Sequence, residues 1–476
     1  MHAAKPDLLA VDLDGTLLRS DMLLESFWSA LGRDWRVVFG AAKALMTGRA
    51  ALKAYLSEIA DVDVTTLPYN EAVIAHIRDW RAQGGRTALV TATNQKLADE
   101  IGAHLGLFDE VHGSDAATNL KGPAKAKFLE QTFGEKSFAY MGDSSADLPV
   151  WDAAGLAIAV NVPGPLRTRL GKLDVPVEDI TAGAPTTTAY LKALRPHQWL
   201  KNILVFLPML TAHQLTGGNF MLSLLAFLAF SLIASSVYVL NDLVDLRADR
   251  EHPRKRKRPF AAGDIPISKG TTMAGGLLLG GALISVFLGS AFALTMLVYY
   301  LATLAYSVNL KRRAILDICV LAGLYTLRIV AGGAATGITL SVWLLAFSIF
   351  FFFALAAIKR QAELVDMASR GQLDASGRGY SVGDLQIISM MAIGAGYVSI
   401  LIMALYVNSP NVVSLYSTPA MLWGISCVLL YWISRLVLVT HRGHMHDDPV
   451  IYAAKDRMSQ VCAVVIFAFA LLGAIV

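Results

Sequence analysis

The clearest chemical signal in the sequence is a run of carboxylates, Asp242, Asp245 and Asp249, which follows Asn241 at the end of a long apolar segment. On a helix, spacings of three and four residues place these side chains on one face. Carboxylates at a membrane boundary repel one another unless a cation lies between them, and charge at such a depth indicates function. Hard oxygen ligands suit Mg²⁺, which often shares its coordination shell with substrate phosphates. The run therefore predicts a catalytic magnesium and pyrophosphate site.

A strongly basic segment follows this acidic run directly. The predicted substrate-binding residues here are Asn241, Arg250, His252, Arg254, Lys255 and Arg258. Such a segment could simply anchor the loop to anionic lipid headgroups. Its position beside a metal site instead favours a polyanionic substrate, with the pyrophosphate on the metal and other phosphates on the cations.

Charged residues farther along the chain form a second candidate group. Lys359, Arg360, Glu363 and Asp366 follow one another at helical spacing and could form a second arm of the site, with Asp366 as a metal ligand, although an ordinary charged loop fits nearly as well. Further substrate-binding candidates lie at or within the predicted spans: Arg195, Lys201, Tyr306, Lys311, Arg312 and Arg328. Arg195 and Lys201 fit a lipid phosphate site and simple membrane anchors equally well. The segment HDDP at 446–449 is a candidate for a further polar rim.

Polar residues also follow the apolar strands in the first 180 residues. Asp12 and Asp14, one residue apart at a strand end, can divide a phosphoryl transfer, one attacking phosphorus and the other moving protons. The other candidates end a later strand or begin a helix: Thr91, Lys121, Lys125, Asp143 and Asp147. Because open α/β sheets bind ligands beyond the carboxyl ends of their strands, these groups are expected to meet at one edge.

Short apolar strands and amphipathic stretches must position this second set of groups. Strands are predicted at the residues before Asp12, at 86–93, around 136–147 and at 156–161. Their alternation with helices predicts an α/β domain with a parallel sheet over residues 1–180. A helical insert at about 20–80 is expected to cap the ligand-binding edge, and residues 181–194 read as a linker.

Residues 195–476 are predicted to form an all-α polytopic membrane domain. Apolar residues make up 55% of the sequence and charged residues 16%, against about 25% charged residues in a typical soluble protein. A membrane span needs about 20 apolar residues. About nine such spans are predicted, at 199–213, 219–240, 271–288, 291–308, 314–336, 342–358, 386–407, 418–439 and 460–476.

The loops between these spans predict an orientation. Alternate loops are rich in Lys and Arg, so they are expected in the cytoplasm. The N-terminal segment lacks the pattern of a signal peptide. We therefore expect a multi-pass protein of the inner (cytoplasmic) membrane, with both sites in the cytoplasm and the C-terminus outside. The net charge of +4 and three cysteines in apolar segments indicate neither nucleic-acid binding nor a disulfide framework. A homo-oligomer is compatible with the sequence.

Motifs over about 190–476 resemble the UbiA superfamily of intramembrane prenyltransferases. They are RPHQWLKN, NDLVDLRADREHPRKRKRPFAAG, YSVNLKRRAILD and LRIVAGG, which resemble more narrowly its decaprenyl-phosphate phosphoribosyltransferase branch. The resemblance implies nine helices, two acidic motifs around Mg²⁺, and transfer of 5-phosphoribose from phosphoribosyl pyrophosphate to a polyprenyl phosphate. The second acidic cluster departs from the pattern, because it consists of Glu363 and Asp366 rather than a fuller aspartate set.

The motifs DLDGT at 12–16 and GDSSAD at 142–147, with the threonine and lysines between them, resemble phosphatases of the haloacid dehalogenase (HAD) superfamily over about 7–180. This resemblance implies that Asp12 is a nucleophile and Asp14 a general acid and base. It also implies that Thr91 binds phosphoryl oxygens and that Lys125, or alternatively Lys121, neutralises charge. Mg²⁺ would be held by Asp12, Asp14, Asp143 and Asp147. A decayed regulatory domain is the less favoured alternative, because every catalytic position holds a competent residue.

Together these features predict a bifunctional, Mg²⁺-dependent membrane enzyme. Its transferase would make polyprenyl-phosphoryl 5-phosphoribose, and its phosphatase would remove the 5-phosphate. The alternative is a prenyltransferase that joins a polyprenyl diphosphate to an aromatic acceptor, with a phosphatase or regulatory HAD domain. A transporter with a regulatory domain is disfavoured, because the carboxylates cluster at one membrane face rather than at mid-bilayer. The expected partners are phosphoribosyl pyrophosphate, polyprenyl phosphate and the bilayer.

Overall fold

The computed structural model describes residues 6–115, 119–181, 183, 186–371, 379–445 and 448–475. Contacts divide the chain into two compact units. The first is Met1–Leu194 with Tyr238–Gly275, and the second is Arg195–Val237 with Gly276–Val476. The acidic and basic runs thus pack with the N-terminal residues, whereas a boundary at 181–194 was predicted.

Six parallel strands form the sheet of the first unit, in the order β3-β2-β1-β4-β5-β6. They are β1 (Leu8–Val11), β2 (Arg86–Asn94), β3 (Glu110–Ser114), β4 (Phe138–Gly142), β5 (Leu156–Val160) and β6 (Val177–Ile180). The parallel sheet confirms the prediction. The edge strands β3 and β6 were not predicted, because they are short, only partly buried and partly polar.

Alternate residues of the central strands pack into cores on opposite faces of this sheet. Leu9 and Val11 belong to one apolar cluster, and Leu8 and Ala10 belong to the other. A parallel strand covered on both faces reads as a continuous apolar run, which explains the sequence of β1.

Helices cover the sheet and form the insert after β1, as predicted. They are α1 (Met22–Arg33), α2 (Val37–Thr47), α3 (Arg49–Ile59), α4 (Glu71–Ala82), α5 (Gln95–Leu105), α6 (Pro123–Phe133), α7 (Leu148–Ala153), α8 (Gly164–Leu170) and α9 (Thr187–Leu194). The Asp21 side chain caps α1 by accepting a hydrogen bond from the Leu24 N–H at 3.1 Å.

The rest of the chain is helical. Its helices are α10 (Leu207–Thr211), α11 (Gly217–Val244), α12 (Leu246–Glu251), α13 (Ile267–Phe287), α14 (Ser290–Val308), α15 (Leu316–Thr336), α16 (Val342–Ser369), α17 (Leu385–Val407), α18 (Pro410–Leu415), α19 (Trp423–His441), α20 (Pro449–Lys455) and α21 (Arg457–Ile475). Within the described residues, eight helices are long and apolar enough to cross a membrane: α11, α13, α14, α15, α16, α17, α19 and α21.

The remaining predicted span, 199–213, has a different structure. It forms a 3-10 helix, Pro196–Phe206, followed by the short helix α10. Pro208 lies at the start of α10, where it lacks the N–H that a continuous helix would use. Lys201 and Asn202 are buried in the 3-10 segment. The segment is therefore a bent, polar-bearing entry to the helical unit rather than a full-length apolar helix.

Candidate active sites

Three carboxylates converge at the carboxyl edge of the sheet. Ligand oxygens of Asp12, Asp143 and Asp147 all lie within 4.8 Å of one another. Asp12 follows β1, Asp143 follows β4, and Asp147 lies in the short 3-10 helix after β4. Gly15 has a φ of +80°, and a Cβ there would lie 2.3 Å from Asp143 Oδ2, so only glycine fits this turn.

A buried lysine contacts this cluster. Lys125 Nζ lies 2.6 Å from Asp12 Oδ1 and donates to the Tyr140 hydroxyl at 3.0 Å. That hydroxyl in turn donates to Asp147 Oδ1 at 2.8 Å. The structure therefore places Lys125, rather than the exposed Lys121, against the predicted nucleophile. Tyr140 was not predicted, because a tyrosine inside a buried strand ordinarily reads as core.

Asp14 and the threonines depart from the predicted geometry. Asp14 lies outside the three-carboxylate group, and its oxygens accept hydrogen bonds from the Met22 N–H at 2.7 Å and the Thr93 hydroxyl at 3.0 Å. Thr91 is fully buried, and its hydroxyl accepts from the Thr93 N–H. Thr93 lines the cavity instead. The pairing of β2 with β3 is irregular between Val90 and Asn94, in the segment that holds both threonines.

Burial governs the charges of this cluster. Burial, reinforced by the Asp12 and Asp147 carboxylates, raises the pKa of Asp143 to about 8. Burial, with the nearby Asp21 and Asp12, raises the pKa of Asp14 to about 7. Burial also raises the pKa of Asp12, although Lys125 opposes this. Close buried carboxylates of this kind favour binding of a hard cation such as Mg²⁺, and the oxygen donor set fits that ion.

These charges predict how metal binding changes stability. Because the pKa of Asp143 is raised on folding, the metal-free folded unit should lose stability as pH rises from about 4 to about 8. We expect Asp143→Asn to raise the melting temperature of the metal-free protein by several degrees at pH 8 and to weaken its stabilisation by Mg²⁺. Thermal scans at pH 5 and pH 8, with Mg²⁺ or a chelator, measure both effects. Asp152→Asn, an exposed carboxylate on α7, is the matched control, and equal behaviour of the two variants would contradict the metal assignment.

A cavity of about 720 Å³ surrounds the carboxylates. Cations at its edge include Arg19, Lys53 and Lys121, and apolar side chains of α1, α2 and α3 form part of its wall. Lys53 donates to the Ala92 carbonyl at 2.7 Å, which fixes α3 over the end of β2. The cavity therefore combines a phosphate-sized charged floor with room for a larger alcohol.

The acidic run forms the second candidate site of this unit. Asp242 lies in the last turn of α11, and Asp249 lies in α12. Arg258 Nη1 lies 3.0 Å from Asp242 Oδ1 and 2.7 Å from Asp249 Oδ2. Both aspartates are at most 2% exposed. The helix breaks at Asp245, so the three side chains do not share one continuous helical face; Asp245 lines a neighbouring cavity.

Asp249 retains an unsatisfied oxygen. Among the described residues, its buried Oδ1 has no hydrogen-bond partner, and the Lys255 ammonium lies 3.9 Å away. Burial raises the pKa of Asp249 despite the attraction of Arg258. An unsatisfied buried carboxylate oxygen is costly unless a cation binds it. The donor set of Asp242 and Asp249 thus fits a divalent ion.

Some residues of the basic run make contacts within the protein, whereas others are exposed to solvent. Arg250, predicted to bind substrate, makes a buried two-bond ion pair through its guanidinium with Glu25 of α1 at 2.6 and 3.1 Å. His252 Nδ1 accepts hydrogen bonds from the N–H groups of Arg254 and Lys255. Arg254 and Lys255 are exposed, whereas Asn241 is half-buried. Arg254 and Lys255 thus remain the accessible cations among the predicted residues of this run.

In the second unit, two predicted lysines share one aspartate. Lys201 Nζ and Lys359 Nζ lie 2.8 and 3.1 Å from Asp448 Oδ2. Burial alone would raise the pKa of Asp448, but the two ammonium groups outweigh it and hold the pKa below its usual range. Asp448 belongs to the HDDP segment, whose residues 446 and 447 lie outside the described part of the chain. Two cations against one carboxylate leave net positive charge, which suits an anion.

The second acidic group is arranged differently from the prediction. Arg360, 1% exposed, forms ion pairs with both Asp317 and Glu363, so its guanidinium is engaged by protein carboxylates. Asp366 instead pairs with Arg370 one turn later, at 2.8 Å. The structure therefore brings Asp317, rather than Asp366, to Glu363, because Asp366 points along its own helix surface.

The remaining candidates lie elsewhere in the second unit. Arg328 is 5% exposed, donates to Asn202 Oδ1 at 3.0 Å, and packs against the rings of Phe230, Tyr299 and Tyr325. Its buried guanidinium is thus held by an amide oxygen and three aromatic rings. The other candidates are the half-buried Tyr306, Lys311 and Arg195 and the exposed Arg312.

Comparison with known families agrees with this architecture. The UbiA prenyltransferase family matches residues 202–455, slightly more than half of the chain. The haloacid dehalogenase-like hydrolase family matches residues 9–152. The chain therefore belongs to the UbiA prenyltransferase family, with an N-terminal HAD domain, and is an integral membrane protein.

The chain is also similar to individual proteins of known sequence. The chain is 38% identical to the uncharacterized protein y4nM of Sinorhizobium fredii, over 95% of this chain and 88% of that protein. It is 37% identical to the nodulation protein NoeC of Azorhizobium caulinodans, over 57% of this chain and 89% of that protein. It is 34% identical to the decaprenyl-phosphate phosphoribosyltransferase of Mycolicibacterium smegmatis, over 59% of this chain and 91% of that protein.

Proposed function

We propose that the chain transfers 5-phosphoribose from phosphoribosyl pyrophosphate to a polyprenyl phosphate of decaprenyl type, with Mg²⁺, and that its HAD domain removes the 5-phosphate. The observation that carries the transferase half is the buried, unsatisfied oxygen of Asp249 beside Asp242. The name of the Mycolicibacterium smegmatis relative supports the choice of substrates. The products would be pyrophosphate, inorganic phosphate and polyprenyl-phosphoryl ribose.

The transferase residues have separable roles in this proposal. Mg²⁺ bound by Asp242 and Asp249, with Asp245 beside them, would neutralise the departing pyrophosphate. Arg258, which already bridges the two aspartates, would orient them. The lipid phosphate oxygen that attacks ribose C1 is already an anion, so the reaction needs no strong base. Lys201 and Lys359, which outnumber the single carboxylate of Asp448, are the candidates to bind one of the anionic substrates.

The phosphatase residues also have separable roles. An Asp12 oxygen attacks phosphorus, the P–O ester bond breaks, and Asp14 gives its proton to the leaving alcohol. Asp14 then takes a proton from water, which attacks the aspartyl-phosphate and releases inorganic phosphate. A pKa of about 7 suits both steps. Lys125, 2.6 Å from Asp12, stabilises charge on the transferring group, and Mg²⁺ held by Asp12, Asp143 and Asp147 would do the same.

We further infer an inner-membrane protein with both sites on the cytoplasmic side, where the Lys- and Arg-rich loops lie. The domains proposed are a HAD domain at 1–180, a linker at 181–194, of which residues 182, 184 and 185 lie outside the described chain, and a transferase domain at 195–476. The acidic run, although it packs in the first unit, belongs chemically to the transferase.

A donor assay tests this function. Purified full-length protein in nanodiscs is given polyprenyl phosphate and phosphoribosyl pyrophosphate labelled in the ribose, with Mg²⁺ or with a chelator. We expect Mg²⁺-dependent label in the lipid fraction. Label that stays in water, together with turnover of a polyprenyl diphosphate and an aromatic acceptor, would refute the proposal and favour the aromatic prenyltransferase alternative.

A further inference from the structure

Helix α2 carries a face of exposed apolar side chains that the HAD fold does not use. Its inward residues, Val37 and Ala41, are buried. The outward ones begin just before the helix and recur at intervals of three, four and seven residues, so they form one stripe. They are Trp35, Val38, Phe39 and Met46, and they are 45–89% exposed. Exposed apolar patches of this size in a folded domain indicate a contact surface.

Basic residues flank this stripe. Arg33, Arg36 and Lys43 are exposed around it, against the carboxylates of Asp34 and of Asp61, which lies 3.8 Å from Arg33. An amphipathic helix with aromatic residues on one face and Lys or Arg beside it is suited to lie in the headgroup region of a bilayer. Anionic lipid headgroups complement this charge, whereas the same positive charge on a second copy would oppose face-to-face pairing.

Both ends of α2 lie near the ends of membrane-spanning helices. Gly32, three residues before Trp35, packs so closely on Val244 that a Cβ would come within 2.8 Å of the Val244 carbonyl oxygen. Val244 is the last residue of the span α11. At the other end, Leu45 lines the same cavity as Ile267, the first residue of the span α13. Residues near both ends of α2 thus lie close to, or share a cavity with, a residue at which a candidate span ends or begins.

The same cavity includes residues at the start of the candidate span α13. Its floor is formed by Asp12 and Asp143, and its wall includes Pro266, Ile267 and Ser268 at the start of α13. Leucines of the helical insert complete an apolar side: Leu23, Leu45, Leu52 and Leu56. A substrate with a phosphate at one end and a lipid at the other would match this order of polar floor and apolar, membrane-proximal wall.

We propose that α2 lies in the lipid headgroup region and that the phosphatase cavity takes a phosphate ester carried by a membrane lipid. The substrate assignment rests on the proposed phosphatase activity, whereas the position of α2 does not. The apolar stripe holds the insert against the bilayer, and the cavity receives the ester from that surface.

Quenching of Trp35 tests the position of α2. Full-length wild type and Trp35→Phe are reconstituted in nanodiscs of plain or brominated anionic lipid, and the difference between their emission isolates Trp35. We expect bromine to quench this difference signal by half or more. Trp80→Phe isolates a tryptophan that is 3% exposed within the domain, and that signal should remain. An unquenched Trp35 overturns the bilayer contact, and cross-linking of such a protein through Phe39→Cys would point to a second copy instead.

A comparison of a soluble ester with a lipid-borne ester tests the proposed substrate of the phosphatase cavity. The double variant Phe39→Ser with Met46→Ser should hydrolyse the soluble ester para-nitrophenyl phosphate within about twofold of wild type. Its hydrolysis of a lipid-borne phosphate ester in nanodiscs should fall about tenfold, a change worth about 1.4 kcal/mol. Lys127→Ser, at an exposed position on α6, controls for surface change. Equal loss on both esters overturns the lipid assignment, and hydrolysis of neither ester by wild type overturns the phosphatase activity and the substrate assignment together.

Discussion

Asp12→Asn should stop the phosphatase and make the enzyme accumulate polyprenyl-phosphoryl 5-phosphoribose. The amide cannot attack phosphorus, so dephosphorylation should fall by about four orders of magnitude, as loss of a covalent nucleophile commonly gives. The transferase should continue, because its carboxylates belong to the separate run at 242–249. Thin-layer chromatography of lipid labelled in the ribose separates the two products.

The contacts of Asp12 indicate that Asp12→Asn should keep its fold and lose only the nucleophile. Asparagine has the shape of aspartate and still offers an oxygen to Lys125 Nζ. In the wild-type structure, this nitrogen lies 2.6 Å from Asp12 Oδ1. It also removes one of three crowded carboxylates, so folding should not suffer. The control is Asp152→Asn, which should behave as wild type. If Asp12→Asn and wild type yield the same lipid, the HAD domain does not act on the transferase product.

Local sequence was sufficient to predict the position of the carboxylates that follow the strands. The apolar run before Asp12 predicts a buried parallel strand, and parallel strands bring their carboxyl ends to one edge. Asp143 and Asp147 were therefore expected near Asp12, and the structure places all three within 4.8 Å. The choice between Lys121 and Lys125 needed the packing of α6, which buries only the second.

Contacts between distant segments could not be predicted in this way. Glu25 and Arg250 are 225 residues apart, yet their buried ion pair joins α1 to the acidic run. Glu25 alone resembles an ordinary helix-surface charge, and Arg250 was predicted to bind substrate. The pairing matters because α1 also begins at Met22, whose N–H holds Asp14. One helix thus contacts both Asp14 and the neighbour of Asp249.

The same limit explains the second unit. Helical spacing grouped Glu363 with Asp366. In the structure, Glu363 forms an ion pair with Arg360, and Asp366 forms one with Arg370, because their side chains point in different directions. Asp448 was predicted only as part of the polar segment HDDP, because its partners Lys201 and Lys359 lie far away in the sequence. Spacing predicts which residues share a helix face, whereas partners across helices depend on how the helices pack.

Asp249→Asn should abolish most transferase activity. Removing one metal ligand should cost about 100-fold or more, since changes behind the ligands already cost about 10–100-fold. The structural reason is specific: within the part of the chain that the structure describes, the buried Asp249 Oδ1 has no hydrogen-bond partner, and an amide nitrogen placed there could not bind a cation. Neither lipid product should then form, which separates this variant from Asp12→Asn.

The magnesium response distinguishes a ligand from a structural residue. Asp249→Asn should need a much higher Mg²⁺ concentration for half-maximal transfer, while its hydrolysis of para-nitrophenyl phosphate stays at the wild-type level. Glu251→Gln, two residues away on an exposed surface pair with Arg247, is the matched control and should leave both activities unchanged. If Asp249→Asn, and likewise Asp242→Asn, kept wild-type transfer and the same magnesium response, the acidic run would not hold the metal.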